Sequence, residues 1–292
     1  MGSLDGRVAI ITGAGRGIGR EHALLFAAEG AKVVVNDLGG TNDGTGSDIT
    51  PAQQVVEEIK ALGGEAVVNG DNVADWQGAQ RLINSAIEAF GDLDILVNNA
   101  GILRDRVIVN MTEEEWDAVI AVHLKGHFAP TRWAAAYWRE QHKAGVTKPR
   151  NLVHTSSTSG LFANPGQANY GAAKTGIVTF SQIAAKELSR YNVRSNAIAP
   201  GARTRLTLAT PGLEDIMKAP GDAFDQWDPA NISPLVAYLA SADCVFSGEC
   251  FFVQGGNVTM IESWARGAEV NRDSKWSVGE LAEALKPLAR PG

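Results

Sequence analysis

Val8-Ala9-Ile10-Ile11-Thr12-Gly13-Ala14-Gly15-Arg16-Gly17-Ile18-Gly19 begins as an apolar run and ends as a glycine-rich turn. The run has the length and composition of a buried strand, and residues 17–29 continue with a helical pattern. Strand, glycine turn and helix in that order leave bare backbone N–H groups at a helix N-terminus, where a pyrophosphate binds favourably. The spacing is G-x-x-x-G-x-G rather than the commoner G-x-G-x-x-G, so the turn alone equally describes an ordinary strand-to-helix connection. Its context decides. A second apolar run ends on Asp37, eighteen positions after Gly19. A carboxylate there accepts hydrogen bonds from both ribose hydroxyls and repels a 2′-phosphate, which favours NAD over NADP. Arg16 points the other way, since a basic residue in this turn can meet a 2′-phosphate; its plainer reading is a solvated side chain at a helix start. Asp71, after the third strand, is either a partner for the adenine amino group or a turn aspartate.

Outward from this unit, short β-branched runs alternate with longer helical patterns. The pattern predicts strands at 7–12, 32–37, 65–69, 95–98, 151–156, 194–198 and 250–253, and helices at 17–29, 51–62, 76–90, 113–142, 170–188 and 232–241. Strands this evenly apolar are covered on both faces. The alternation predicts an α/β fold, a parallel sheet with right-handed crossovers and helices on both faces. Thr112 and Glu115 make a capping box. Pro130 should kink its helix after Gly126. Three stretches are irregular: 38–50, 201–229 with its breakers Pro211, Gly212, Pro220, Gly221 and Pro229, and the polar tail from Ser263 with a short helix at 278–285.

A second constellation lies further along. Tyr170 and Lys174 stand four apart in Y-G-A-A-K, one helical turn, and Ser157 lies thirteen positions before the tyrosine. A phenol has a solution pKa near 10. A neighbouring ammonium and a bound nicotinamide cation both favour the phenolate, which can take a hydroxyl proton as hydride leaves. The lysine can also hydrogen-bond the nicotinamide ribose, and Ser157 can fix the substrate oxygen. Ser156 and Ser159 are rivals to Ser157; spacing favours Ser157. By itself Y-x-x-x-K is a common surface pairing.

Composition bounds the rest. With 292 residues, 45% hydrophobic and 20% charged, the chain reads as a folded globular protein. A net charge of −7 argues against nucleic acid as the main partner. Cys244 and Cys250 are the only cysteines, so no disulfide framework is implied and a reducing, cytoplasmic setting is expected. Met1-Gly2-Ser3-Leu4-Asp5 is no signal peptide, Ala289-Arg290-Pro291-Gly292 is no peroxisomal address, and no apolar stretch approaches membrane length. No membrane and no metal are expected.

T-G-x-x-x-G-I-G, Asn98-Asn99-Ala100-Gly101, Ser157, Y-x-x-x-K and Ala199-Pro200-Gly201 occur together from Val8 to about Gly256, and this set resembles the short-chain dehydrogenase/reductase family. The resemblance implies an α/β single-domain Rossmann fold, doubly wound, with a seven-stranded parallel sheet and helices on both faces. It implies a dehydrogenase domain over 1–262 that includes a substrate loop at 201–230, followed by a C-terminal extension over 263–292. It implies catalytic roles for Ser157, Tyr170 and Lys174. It implies cofactor contacts at Gly13, Arg16, Gly17, Ile18, Gly19, Asp37, Asp71, Asn72, Asn98, Ala100, Tyr170 and Lys174, and around the carboxamide at Pro200, Gly201 and Thr204. One position departs: His123, in Val122-His123-Leu124-Lys125-Gly126, stands where the family carries an asparagine that organises a proton-relay water. Either a backbone carbonyl freed by the kink at Pro130 holds that water instead, or the imidazole relays the proton itself, or it merely fills the space.

Val35-Asn36-Asp37-Leu38-Gly39-Gly40, Gly101-Ile102-Leu103-Arg104-Asp105-Arg106, V-H-L-K-G and Gly166-Gln167-Ala168-Asn169-Tyr170 narrow the resemblance to the (3R)-hydroxyacyl-CoA dehydrogenase modules of type 2 peroxisomal multifunctional enzymes. That likeness implies NAD-dependent oxidation of a (3R)-hydroxyacyl-CoA or a steroid-type substrate, in a homodimer or homotetramer. The alternatives are an NADP-dependent ketoacyl or carbonyl reductase and a non-catalytic NAD-binding protein. Trp116, Ile120, Phe128 and Trp133 fit either a subunit interface or the chain's own core.

Overall fold

The computed structural model describes residues 2–208, 212–221, 223–262 and 264–289. Pro211, Ser263 and the end of the tail, Arg290-Pro291-Gly292, lie outside the described residues, as does Met1. Two compact units are present, Met1–Ile261 and Glu262–Gly292.

In the first unit, strands β1 (Val8–Thr12), β2 (Lys32–Asn36), β3 (Glu65–Asn69), β4 (Ile95–Asn98), β5 (Arg150–Thr155), β6 (Val193–Pro200), β7 (Cys250–Gln254) and β8 (Asn257–Ile261) form one sheet in the order β3-β2-β1-β4-β5-β6-β7-β8. The helices between them are α1 (Gly17–Ala28), α2 (Thr50–Ala61), α3 (Trp76–Phe90), α4 (Glu113–Ile120), α5 (Gly126–Lys143), α6 (Thr158–Phe162), α7 (Ala168–Leu188), α8 (Arg205–Leu208), α9 (Leu213–Ile216) and α10 (Ser233–Ala240).

The sheet has eight strands rather than the expected seven. β1 to β7 are parallel, and β8 returns antiparallel to β7 across a turn at Gly255-Gly256, with Gln254 opposite Asn257. The extra strand escaped pattern reading because it is an edge: Asn257, Val258, Thr259 and Met260 are all exposed, so no buried face marks it.

Strand alternation assigns the two layers. Ala9, Ile11, Val33 and Val35 pack with Phe26, Val55, Ile59 and Val236 under α1, α2 and α10. Val8, Ile10, Val34 and Leu96 pack with Leu82, Ile83 and Trp138 under α3 and α5. β1 pairs with β2 on one side and β4 on the other, so the chain winds in opposite directions from β1. At that switch point the loops after the strands part and leave a crevice. Among the described residues, no helix is long and apolar enough to cross a membrane.

The second unit holds α11 (Val278–Leu285), started by a second capping box, Ser277 with Glu280. Arg272 pairs with Glu280 there.

Candidate active site

The crevice is one cavity of about 640 Å³. The glycine turn forms its floor. At Gly19 a Cβ would stand 2.1 Å from the Gly13 carbonyl oxygen, so the start of α1 can pack on β1 only with hydrogen at that position. A Cβ at Gly13, itself at φ +64°, would stand 2.8 Å from the Ala100 Cα. Asp37 lies at the tip of β2. Its Oδ2 accepts from the Gly15 N–H at 2.8 Å and its Oδ1 from the Gly39 N–H at 2.7 Å, so the carboxylate is held rigidly beside the turn. Asp71 accepts from Arg81 Nε at 2.8 Å and from Asn69 Nδ2 at 3.0 Å. Gly13, Arg16, Gly17, Ile18 and Gly19 line this end together with Asp37, Asp71 and Asn72. Ala100, Pro200, Gly201 and Thr204 line the middle.

Asn98 does not line the cavity. It is fully buried behind the wall, donating to Thr131 Oγ1 at 3.0 Å and contacting His154 Nδ1 at 3.3 Å. Its neighbour Asn99 is the residue at the cleft. Asn99 Nδ2 donates to the Thr12 carbonyl at 3.1 Å, and Thr155 Oγ1 donates to Asn99 Oδ1 at 3.3 Å, which ties the ends of β1, β4 and β5 together. Period-two alternation was the available signal: adjacent residues at a strand end face opposite ways.

The other end of the cavity carries Ser157, Tyr170, Lys174 and His123. Helix α7 is anchored by Asn169, whose Nδ2 donates to the carbonyls of Arg104 at 3.0 Å and Glu115 at 3.1 Å, and this fixes where Tyr170 stands. The Ser157 hydroxyl hydrogen-bonds the Tyr170 hydroxyl. Ser156 turns away and donates to the Lys174 carbonyl at 2.7 Å, a tie between β5 and α7. Ser159 also lines the cavity; its N–H donates to Ser157 Oγ at 3.2 Å. Lys174 Nζ donates to the Thr155 carbonyl at 2.6 Å and lies 5.4 Å from the centroid of the Tyr170 ring.

The spacing predicts that this ammonium acidifies the phenol. Burial dominates instead: it raises Tyr170 to about 12, against the pull of the Ser157 hydrogen bond and with the charge of Asp105 adding to the rise, and it lowers Lys174 to about 7. A cation bound beside the pair works in the acidifying direction.

His123 occupies a π-helical turn, Ala121–Lys125, between α4 and α5. Two helices therefore stand where one was expected. The irregular turn closes at Gly126, the residue expected to mark the kink, four before Pro130, which has no N–H to offer the Gly126 carbonyl. His123 Nε2 lies 2.7 Å from the Ile102 carbonyl oxygen and 3.0 Å from its N–H; the shorter contact selects the Nε2–H tautomer. Burial first, then the charge of Lys174, keeps the ring neutral, well below the usual histidine range. The ring stands edge-on to Tyr170, centroids 5.0 Å apart. A Cβ at Gly101 would come within 2.5 Å of His123 Cε1, so the glycine makes room for the imidazole.

The loop expected at 201–230 reaches the cavity through Met217 and Trp227, and Phe252 of β7, which sequence reading did not single out, joins them in an apolar wall. Arg203 organises the breaker-rich loop, donating to the Met217 carbonyl at 2.8 Å and pairing with Asp225, while its N–H donates to the Trp227 carbonyl at 2.7 Å. No periodicity marks such a loop, because its order comes from one arginine.

A family model described as short chain dehydrogenase matches residues 7–210. The chain is similar to the hydroxyacyl-CoA dehydrogenase ChsB1 of Mycobacterium tuberculosis, 43% identical over 291 residues that cover 97% of this chain and 88% of that protein. It is 48% identical over 244 residues to the peroxisomal multifunctional enzyme type 2 of Drosophila melanogaster, covering 84% of this chain but only 38% of that longer enzyme. A crystal structure of a short chain dehydrogenase from Mycobacterium avium matches with a TM-score of 0.87 at 52% identity, over 99% of this chain and 98% of that one. With the glycine turn, the switch-point crevice and the Ser157–Tyr170–Lys174 set in one cavity, this chain belongs to the short-chain dehydrogenase/reductase family and is an oxidoreductase that works with a nicotinamide dinucleotide.

Proposed function

We propose that the chain oxidises the secondary hydroxyl of a (3R)-3-hydroxyacyl-CoA, or of a steroid-type CoA thioester, to the ketone with NAD. The observation that carries this reading is a single cavity with Ser157, Tyr170 and Lys174 at one end and Asp37 at the other. The likeness to a hydroxyacyl-CoA dehydrogenase over nearly the whole chain and the apolar wall of Met217, Trp227 and Phe252 support the substrate class.

The residues supply the following chemistry. The Gly13–Gly19 turn and the α1 N-terminus hold the pyrophosphate, and Asp37 holds the adenosine ribose. Ser157 and Tyr170 present adjacent hydroxyls, so a carbinol oxygen bridging both is oriented and its proton passes to the phenolate of Tyr170. When bound, nicotinamide supplies the acceptor for the hydride that leaves the same carbon. Lys174 steadies the phenolate electrostatically, and its Thr155 anchor keeps it in place. His123 acts as a pin: neutral, one tautomer, bonded to Ile102 and set against the Tyr170 ring.

A second reading, an NADP-dependent ketoacyl reductase, rests on Arg16, which lines the cavity at the Asp37 end and forms no salt bridge among the described residues. Initial rates with both cofactors on a panel of (3R)-3-hydroxyacyl-CoA thioesters and hydroxysteroids separate the two. We expect kcat/KM with NAD to exceed that with NADP by about tenfold or more, equivalent to ~1.4 kcal/mol. Asp37→Ala should shrink that ratio. A preference for NADP in the unaltered protein overturns the NAD assignment in favour of the reductase.

A further inference from the structure

The loop between β2 and α2 crosses the mouth of the cofactor cleft. Its base is closed, with the Asp48 N–H donating to the Leu38 carbonyl at 3.1 Å. Its tip is braced internally: Thr41 N–H donates to the Thr45 carbonyl at 2.9 Å, and Asp43 accepts from the Thr45 N–H at 3.1 Å and from both threonine hydroxyls. The tip is bonded to both banks of the cleft. On one bank, Asn42 accepts on its carbonyl from the Leu103 N–H at 2.9 Å, and Arg104 Nε donates to the Asp43 carbonyl at 2.8 Å. On the other, Asn42 Nδ2 donates to the Arg205 carbonyl at 3.2 Å, and Arg205 Nη2 donates back to the Gly40 carbonyl at 3.1 Å. Gly40, Thr41, Leu103 and Arg205 all line the dinucleotide cavity. The Arg205 bank also covers the pyrophosphate turn: Thr204 Cγ2 lies 3.6 Å from where a Cβ of Gly17 would be. Among the described residues, the buried Asn42 Oδ1 has no hydrogen-bond partner.

We propose that Asn42 and Arg205 form a clasp that closes the loop tip over the bound dinucleotide and governs its release. The proposal rests on the nicotinamide dinucleotide reading of the cavity but not on any choice of substrate. A ligand beneath a strap fastened on both sides leaves only when one fastening opens. Both are positioning residues, acting on the cofactor through the strap.

NADH is bound to the full chain and displaced by excess NAD in a stopped-flow instrument, following NADH fluorescence. Losing one neutral hydrogen bond shifts an opening equilibrium about fivefold. We expect Asn42→Ala and Asn42→Asp each to speed NADH release by about that factor, the aspartate because it keeps the shape and loses the donor, and Arg205→Ala by about tenfold, because its bond comes from a charged guanidinium. Arg205→Ala keeps the backbone carbonyl that Asn42 bonds, so each variant removes a different bond of one fastening, and the double variant Asn42→Ala/Arg205→Ala should release faster than either single one. A residue that merely supports the loop would lower the melting temperature without changing the release rate. Release rates within twofold of the parent in both alanine variants, or a double variant no faster than the more affected single one, overturn the clasp. NADPH replaces NADH if it binds more tightly, and failure of the chain to bind either also overturns it. Faster release in a protein that oxidises no hydroxyacyl-CoA sustains the clasp and sinks only the substrate assignment.

Discussion

Tyr170, half-buried, and Lys174, buried, each resist the charged form, the tyrosine raised to about 12 and the lysine lowered to about 7. Such opposed pressure marks a site built to move a proton only when a ligand completes it. Tyr170→Phe removes the acidic hydroxyl while leaving the ring packed on His123. We expect kcat to fall roughly a thousandfold, with NADH affinity by fluorescence titration changed less than threefold; a near-normal rate would refute the role given to the phenol. That Ser157, Tyr170 and Lys174 meet in one cavity was legible because their spacing along one helix and one strand end is itself the geometry. Asn98 was legible only as half of a pair: its chemistry suggested the cleft, but the strand turned it inward and put Asn99 there. His123 stood out as a departure, yet only the packed structure shows its ring fixed between Ile102 and Tyr170.

Elements defined by local signals appear where those signals put them. The Thr112–Glu115 capping box starts α4, and α3 spans Trp76–Phe90 as its apolar period requires. Pro130 made a break near Gly126 legible, but not its form, a π-helical turn that carries His123 to the turn after β4. Gly101 is the counterpart that admits the ring. Gly101→Ala puts a methyl within 2.5 Å of His123 Cε1, so the imidazole must move and the Tyr170 ring loses its edge contact. We expect kcat to drop about tenfold, ~1.4 kcal/mol of transition-state stabilisation, with the KM for NAD nearly unchanged. A KM effect without a kcat effect would show that the glycine serves the cofactor rather than the tyrosine. β8 and the loop over the cleft were likewise unreadable, one for lack of a buried face and the other because its order comes from bonds to distant segments.

Over the whole molecule, four histidines are buried and held neutral: His22 and His154 by burial at about 3, and His123 and His127 well below their usual range. In the unfolded chain each titrates near 6.5. Because the folded values are depressed, their contribution is intact above pH 6.5 and is lost as pH falls from 6.5 toward 3. Urea unfolding at pH 7.5 and 5.0 should therefore show a marked loss at the lower pH, shallower in His22→Leu. Equal stability at the two values would mean that these rings are hydrated or charged in the native state. The sequence by itself determined the α/β winding, the glycine turn, the aspartate after the second strand and the Ser157–Tyr170–Lys174 spacing, since each is a matter of local period, backbone freedom or residues one helical turn apart. Only the tertiary structure decided which asparagine meets the cleft, how His123 is held, where the edge strand lies and what spans the cleft mouth. Those depend on which way a side chain faces after packing and on hydrogen bonds between segments far apart in the chain, and no short-range pattern encodes either.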